Sequence, residues 1–224
     1  MFYVKNNGLC FLFQKSFGTS GVNAIGSFQL SQLNSSSVKS KLKAAGINTN
    51  SKQYKAAVKQ MMSAGNGAMY GNIQGIKNLM SHYDKDGDYI NPVNGLAGLL
   101  VTDENESSRK RIISIPDSSK EEMYELTKKE FLRENGVHNG DTTKRTDVYN
   151  NLYRKMSKKD RLAAGYTLEK YERIYRQAFY DAAKKADPNW EIGKPIKAGA
   201  LDDVTRETAE TGKSPAQATL DTKI

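Results

Sequence analysis

Apolar residues recur roughly every three or four positions through most of the chain, which is the spacing of one face of an α-helix. In the segment with the strongest pattern, Leu168, Tyr171 and Tyr175 begin an apolar seam that Pro188 ends. The same spacing predicts helices over residues 50–65, 68–83, 146–156 and 167–188. Capping residues and terminal glycines predict two more helices, over residues 36–46 and 118–136. The chain is therefore expected to be mainly helical.

Two short runs break the helical spacing. The runs "LAGLLVT" (residues 96–102) and "RIISI" (residues 111–115) favour β-structure, and the polar loop "DENESSRK" separates them. Such a pair predicts a β-hairpin, which is the only sheet expected in the chain. The predicted fold class is mainly α, a compact helical domain with a small β-hairpin and flexible termini.

The two ends differ in composition from the middle of the chain. Residues 1–33 are rich in serine and glycine with little periodicity, and residues 193–224 contain no aromatic residue. Segments without an apolar pattern do not recover by burial the entropy that ordering removes. We therefore expect a flexible leader over residues 1–33, one helical domain over 34–192 and a disordered tail over 193–224.

Composition narrows the class of protein and its compartment. Apolar residues make up 38% of the 224-residue chain, which is enough for a core, and no apolar run is long enough to cross a bilayer. The stretch "LCFLF" near the start is shorter than the apolar region of a signal peptide. The protein is therefore expected to have no membrane span, and to be cytoplasmic or exported without a conventional signal peptide.

Few residues in the chain suit catalysis. There is one cysteine, Cys10, and there are two histidines, His82 and His138. This inventory excludes an internal disulfide and a multi-histidine metal centre. No glycine-rich phosphate loop, GxSxG elbow or HExxH helix occurs in the sequence. We therefore expect a protein that is not an enzyme.

Charge is distributed unevenly along the chain. The net charge is +9, and residues 1–83 contain nine lysines but no aspartate or glutamate. An acid-free basic surface suits phosphate, an anionic membrane or an acidic partner. Because few aromatic residues lie between these lysines, the preferred interpretation is a helical surface covered by solvated lysines.

A second basic region lies between residues 144 and 161. Tyr149 and Tyr153 lie among its cations, so the region combines charges for phosphate with rings that can stack on bases. The two tyrosines are also i,i+4 partners beside an apolar stripe, which favours rings that point into the core of a solvated helix pair. The candidate nucleic-acid contacts are Lys144, Arg145, Arg154, Lys155, Lys158, Lys159 and Arg161.

The stretch "HYDKDGDYINPVN" (residues 82–94) contains the first acidic residues of the chain. Asp84, Asp86 and Asp88 occupy alternating positions directly after a predicted helix. Carboxylates at alternating positions of a tight turn converge on one point, where they can bind calcium. The same residue types are also typical of an Asx-turn or a helix stop, neither of which requires an ion.

This stretch resembles the calcium loop of an EF-hand. Its three aspartates match ligand positions 1, 3 and 5, and the resemblance implies three further ligands, the carbonyl of Tyr89 and the side chains of Asn91 and Asn94. The sequence lacks the glycine at position 6, and Asn94 stands where a bidentate glutamate is usual. The resemblance therefore implies calcium binding with an affinity in the millimolar class.

The chain as a whole resembles a bacterial domain family of unknown function. The resemblance rests on "SSSVKSKLKAAGINTNSKQYKAAVKQMM" and "MSKKDRLAAGYTLEKYERIYRQAF", and it spans about residues 34–190. It implies a bacterial source and no particular activity. The predicted function is a non-catalytic binding or interaction protein of unknown partner, stabilised by one calcium ion. The alternatives are a nucleic-acid-associated protein that uses residues 144–161, and a bacterial exported protein.

Overall fold

The structure is a computed structural model that describes residues 27–64 and 70–212. These residues form two units, whose boundary in the chain lies between Leu100 and Val101. Each unit has a hydrophobic core of its own. The sequence had instead predicted a single helical domain over residues 34–192, because the apolar pattern does not show which helices share a core.

The described part of the first unit contains three helices and one short strand pair. Strand β1 (Phe28–Gln29) pairs antiparallel with strand β2 (Tyr70–Gly71), so that Phe28 lies opposite Gly71. A single 3-10 turn covers Leu30–Gln32. The helices are α1 (Ser36–Ala44), α2 (Lys52–Ala64) and α3 (Ile73–Met80). They confirm the three helices that the sequence predicts for this half of the chain.

One cluster of apolar side chains forms the core of the first unit. Leu42 of α1 and Ile76 of α3 are at most 1% exposed within it. Tyr54, Ala57 and Met61 form the buried face of α2. Because burial of one large apolar side chain contributes about 1.5–3 kcal/mol, this cluster is the main reason that the three helices associate.

The predicted leader extends too far into the chain. Phe28, Leu30 and Leu33 are each at most 4% exposed and belong to the core of the first unit. The prediction of a flexible segment is therefore wrong for residues 27–33, because these three apolar side chains are buried in that core. Residues 1–26, the rest of the predicted leader, lie outside the described residues.

The described part of the second unit contains five α-helices. They are α4 (Glu106–Arg109), α5 (Asp117–Glu134), α6 (Arg145–Lys155), α7 (Arg161–Ala186) and α8 (Arg206–Thr211). The long helices α5 and α7 pack along each other, and α6 packs against both. Caps predict α5 and apolar spacing predicts α6 and α7, whereas α4 and α8 are too short to produce a periodic pattern.

Aromatic rings fill the core between α5 and α7. Tyr124 and Phe131 of α5 meet Tyr175 and Phe179 of α7, with ring centroids 5.4–5.7 Å apart. Trp190, which follows α7, packs against Phe131 with the centroids 6.1 Å apart. Ring pairs of this kind contribute about 0.5–1.5 kcal/mol each beyond their burial, so they hold the two helices firmly together.

The mainly helical class with a small β element is confirmed, but the sheet does not lie where it was predicted. Residues 96–102 and 111–115 do not pair with each other in the structure. The second run packs on α7 instead, where Ile115 is buried and the backbone N–H of Ile113 donates to the hydroxyl of Thr167 at 3.1 Å. The side chain of Thr167 therefore accepts the backbone hydrogen bond that a partner strand was expected to accept.

Residues 193–212, which were predicted to be disordered, are part of the second unit. Leu201 is 4% exposed in its core, and the hydroxyl of Tyr124 donates to the carbonyl of Val204. The prediction was wrong because a few well-placed contacts hold this segment without any periodic pattern. Residues 213–224, the rest of the predicted tail, lie outside the described residues.

Candidate functional site

The three aspartates lie in a tight loop that follows α3. The N–H of Asp84 donates to the carbonyl of Asp88 at 2.9 Å, which closes the loop with an antiparallel backbone hydrogen bond. Tyr83 and Tyr89 face each other across this short ladder, and their rings make an edge-to-face contact with centroids 5.9 Å apart. The base of the loop is therefore held by backbone hydrogen bonds and by a contact between two rings.

Asp84 organises the backbone of the loop. Its Oδ1 accepts hydrogen bonds from the N–H groups of Asp86 and Asp88, both at 2.9 Å, and its carbonyl accepts from the N–H of Gly87 at 3.0 Å. Gly87 has a φ of +86°, and a Cβ there would lie 3.0 Å from the carbonyl oxygen of Lys52 on α2. Gly87 thus allows the turn, and the loop closes without the glycine that an EF-hand carries at its sixth position.

The three carboxylates converge as the sequence predicts. Each of Asp84, Asp86 and Asp88 offers one carboxylate oxygen, and these oxygens lie within 4.8 Å of one another. Asp84 is half-buried, and the other two aspartates are exposed. Three negative charges at this separation repel one another, and a cation between them would be attracted by all three. The cluster is therefore able to hold a metal ion.

A side chain of α2 holds the base of the loop. The Nε2 of Gln53 donates to the carbonyls of Met80 and Tyr83, at 2.9 and 2.8 Å. The hydroxyl of Tyr83 donates to Oε1 of Gln60 at 3.2 Å, and burial, with a smaller contribution from Tyr89, raises the pKa of Tyr83 to about 12. Sequence analysis missed Gln53 because it lies 27 and 30 residues from its two partners, and no local motif marks such a contact.

Two of the three further predicted ligands, Asn91 and Asn94, contribute to local turns. The antiparallel ladder at the base of the loop uses the carbonyls of His82 and Asp88 rather than that of Tyr89. The side-chain oxygens of Asn91 and Asn94 each accept the backbone N–H two residues further along, at 2.9 and 3.0 Å. These two oxygens cap turns of the backbone, and their role as ion ligands, like that of the Tyr89 carbonyl, stays a prediction.

The basic segment over residues 144–161 makes many contacts within the second unit. Arg145 forms ion pairs with one glutamate of α5 and one of α7. The Nζ of Lys155 lies 3.0 Å from Oε1 of Glu122, and the Nε of Arg161 donates to a backbone carbonyl of α6 at 3.0 Å. The other cations are Lys158, which is half-buried, and the exposed Lys144, Arg154 and Lys159.

The tyrosines of this segment pack on α7. Tyr149 and Tyr153 lie with their ring centroids 6.0 Å apart, and a Cβ at Gly165 of α7 would lie 2.6 Å from the hydroxyl oxygen of Tyr153. Burial, with a smaller contribution from Glu169, raises the pKa of Tyr153 to about 12. Rings packed in this way do not offer their faces to bases, so the structure favours a solvated helix pair. Nucleic-acid binding by this segment stays a prediction.

The remaining alternative concerns membranes and export. In the part of the chain that the structure describes, no helix is both long and apolar enough to span a bilayer. The alternative of an exported protein rests on the composition of the predicted leader, of which residues 1–26 lie outside the described residues. Export therefore stays a prediction.

A family model matches most of the chain. It is described as a domain of unknown function, DUF3879, and the match covers residues 47–224. Comparison with curated proteins and with solved structures gives no match. The description of the family assigns no activity and no partner, so function has to be argued from the site. The chain belongs to the DUF3879 family.

Proposed function

We propose that this member of the DUF3879 family is a non-catalytic interaction protein whose first unit is stabilised by one calcium ion. The observation that carries the proposal is the cluster of Asp84, Asp86 and Asp88, whose carboxylate oxygens lie within 4.8 Å of one another. These side chains would hold the ion, and backbone carbonyl oxygens and water would complete its ligand shell.

The chemistry of the donors favours calcium. Carboxylate and carbonyl oxygens are hard ligands, which suit calcium and magnesium better than copper or zinc. Calcium accepts irregular shells of about six to eight oxygens, whereas magnesium requires a near-ideal octahedron at shorter distances. In this loop Asp84 Oδ1 also holds two backbone N–H groups, which restricts how far the carboxylate can adjust. Such a loop suits the ion with the less demanding geometry.

The affinity should be modest, and binding should stabilise the loop. Asp86 and Asp88 are exposed, so water competes for the ion, and neutral Asn94 stands where an EF-hand carries a bidentate glutamate. Two carboxylates about 4 Å apart repel each other by about 1 kcal/mol in water. An ion that removes this repulsion stabilises the folded loop, and we expect an affinity in the millimolar class.

Two features of the described surface support a non-catalytic role. His82 and His138, the two histidines of the chain, are both exposed, so neither has the enclosed surroundings in which a catalytic base is usually tuned. An open groove of about 510 Å³ at the connection from α1 to α2 is lined by Lys39, Ser40, Lys43 and residues 46–50. These lining residues include no carboxylate and no histidine that could exchange a proton with a substrate near neutral pH.

Thermal unfolding with and without calcium tests the proposal. The protein is first freed of metal with a chelator and is then titrated with calcium or, separately, with magnesium. Calcium at ten times its dissociation constant should stabilise the folded state by about 1.4 kcal/mol and raise the unfolding midpoint by a few degrees. Magnesium at the same concentration should raise the midpoint less.

A pair of matched variants makes the test specific. Asp86→Asn combined with Asp88→Asn removes two charged ligands at exposed positions, so it should abolish the calcium response without lowering the metal-free midpoint. Asp202→Asn combined with Asp203→Asn makes the same change at exposed positions of the second unit and should respond as the wild type does. If the wild-type midpoint does not change with calcium, the aspartates form a turn and nothing more.

A further inference from the structure

The surface of α2 carries a row of lysines. Lys52, Lys55 and Lys59 recur at positions i, i+3 and i+7, which places them on one face of the helix, and all three are exposed. The next residue on that face is Met62, an apolar side chain that is 43% exposed. These four residues form what we call the lysine stripe.

Helices α1, α2 and α3 carry no acidic residue that could balance the charge of the lysine stripe. Residues 1–83 contain no aspartate or glutamate, and no ion pair among the described residues includes a lysine of α1, α2 or α3. In the second unit, by contrast, Arg145, Arg176 and Arg206 each pair with glutamates. A row of lysines that form no ion pair creates a positive potential that attracts anions.

Helix α1 also carries exposed lysines near its connection to α2. Lys39 and Lys43 are exposed and line the groove at the connection that leads into α2. Polar residues line the rest of this groove, apart from Gly46 and Ile47, and its lining includes no carboxylate. These two lysines add to the positive charge of the first unit beside the lysine stripe.

We propose that the lysine stripe docks the protein on an anionic lipid bilayer. Lysines close to such a surface are attracted by the phosphates and carboxylates of its headgroups, and each contributes about a fivefold gain in binding. Met62 would enter the boundary between headgroups and acyl chains, since apolar side chains gain by leaving water there. The docking is peripheral and requires no helix that spans the membrane.

The composition of the lysine stripe distinguishes a bilayer from other anionic partners. The stripe has no arginine for bidentate phosphate contacts, and Tyr54, the aromatic residue of α2, is only 7% exposed, so the helix offers no ring for stacking on bases. Lysine is also depleted in protein–protein interfaces, which need apolar area at their centres. A fluid layer of headgroups requires no arginine, no exposed aromatic ring and no large apolar centre.

The aspartate loop lies against the start of the lysine stripe. A Cβ at Gly87 would lie 3.0 Å from the carbonyl oxygen of Lys52 and 3.3 Å from its Cβ. In the metal-free protein the three carboxylates of this loop would repel an anionic bilayer, and a bound calcium ion would offset two of their three charges. Calcium should therefore strengthen docking. This coupling rests on the calcium site proposed above, whereas docking itself does not.

Sedimentation with lipid vesicles tests the docking. The full chain is mixed at low salt, with a chelator present, with vesicles of phosphatidylcholine that contain or lack phosphatidylserine. The wild type should sediment with the phosphatidylserine vesicles alone, and added salt should release it. Equal binding to both kinds of vesicle, or no binding to either, would overturn the proposal. So would tighter binding to duplex DNA or RNA than to the vesicles at the same salt.

Two triple variants distinguish the effect of the lysine stripe on vesicle binding from the effect of the overall net charge. Lys52→Glu, Lys55→Glu and Lys59→Glu together should weaken vesicle binding about a hundredfold or more while the unfolding midpoint stays close to that of the wild type. The control changes three exposed lysines of the second unit to glutamate and should bind as the wild type does. Its substitutions are Lys110→Glu, Lys170→Glu and Lys197→Glu. Equal losses in both variants would show that overall charge, and not the lysine stripe, is responsible.

The calcium coupling has its own readout. The variant with Asp86→Asn and Asp88→Asn should bind phosphatidylserine vesicles about fivefold or more tightly than the wild type in chelator, and calcium should not strengthen its binding further. If calcium raises the wild-type unfolding midpoint but vesicles never bind, docking is wrong and the calcium site stands. If vesicles bind and calcium has no effect on binding or unfolding, the calcium site is wrong and docking stands.

Discussion

The hydroxyl of Tyr175 donates a hydrogen bond of 2.7 Å to a carboxylate oxygen of Glu210, 35 residues further along the chain. Tyr175 is fully buried at the centre of α7, and Glu210 lies on the short helix α8. This contact ties the last described helix to the aromatic core of the second unit. It shows that the ordered part of the chain continues well beyond residue 192, where composition alone would end it.

Removal of this segment should destabilise the second unit. A chain that ends at residue 192 loses the buried side chain of Leu201 and the hydrogen-bond partners of Tyr124 and Tyr175. We expect the free energy of unfolding to fall by about 3–5 kcal/mol, from burial and from two lost hydrogen bonds. Denaturant unfolding measures the loss.

A longer truncation product provides the control for that experiment. A chain that ends at Gly212 keeps the described residues of α8 and the contact between Tyr175 and Glu210, so it should unfold at a higher denaturant concentration than the chain that ends at residue 192. If the chain that ends at residue 192 were as stable as the one that ends at Gly212, the packing of residues 193–212 would contribute nothing.

The ion pairs of Arg145 should contribute measurably to stability. Arg145 of α6 joins Glu130 of α5 to Glu172 of α7, and the two glutamate side chains are each 13% exposed. Arg145→Gln leaves both carboxylates partly buried with only the more distant guanidinium of Arg176, 3.5 and 3.4 Å away, as their cation. Unfolding should therefore become easier by about 1–2 kcal/mol, less than for a buried pair left with no partner. Arg173→Gln is the matched control, because Arg173 is 69% exposed and pairs with Glu169 on its own helix.

The control should lose no more than about 0.5 kcal/mol, which is typical of an exposed pair within one helix. Both free energies come from denaturant unfolding at the same salt concentration. Similar losses in the two variants would contradict the role of Arg145 as a link between three helices.

Alanine at position 165 should be unfavourable although it lies inside a helix. Glycine to alanine normally stabilises a helix interior by about 0.5–1 kcal/mol. Here the added Cβ would lie 2.6 Å from the hydroxyl oxygen of Tyr153, so Gly165→Ala should destabilise the second unit by about 1–2 kcal/mol. Combination with Tyr153→Phe, which removes that oxygen, should restore part of the loss in denaturant unfolding. A stabilising Gly165→Ala would mean that Tyr153 does not pack on α7.

Acid should weaken the second unit through Glu134. A hydrogen bond of 2.7 Å from Arg176, opposed by partial burial, lowers the pKa of the Glu134 carboxyl below its ordinary value of 4.5. A carboxyl with a lowered folded-state pKa contributes stability above its unfolded pKa and loses it as pH falls through its folded pKa. Stability should therefore decline as pH falls below 4.5. Unfolding midpoints across this range should fall less steeply for Arg176→Gln, and parallel curves would contradict the assignment.

The helices of both units could be predicted because their signal is local. Leu168 and Tyr175, for example, lie on one face of α7 and are both fully buried. Strands β1 and β2 have two residues each and lie far apart in the chain, so no local sequence pattern predicts their pairing. The docking of residues 193–212 depends on single contacts such as the one between Tyr175 and Glu210, which sequence spacing does not reveal.

The part of the candidate metal site that is local in sequence could also be predicted, and its long-range contacts could not. Asp84, Asp86 and Asp88 converge because a turn brings near neighbours together, and spacing reveals such a turn. The support from Gln53 and the approach of Gly87 to α2 join parts of the chain about thirty residues apart. Contacts of that kind follow from how α2 and α3 share a core, which a single sequence does not show.

Equilibrium dialysis against calcium tests the central claim most directly, because it counts bound ions without relying on a change in stability. The metal-free full chain should bind one calcium ion with a dissociation constant in the millimolar class. The variant with Asp86→Asn and Asp88→Asn should bind none in the same range, and the variant with Asp202→Asn and Asp203→Asn should bind as the wild type does. No calcium bound to the wild type at millimolar concentrations, or equal binding to all three proteins, would contradict the account.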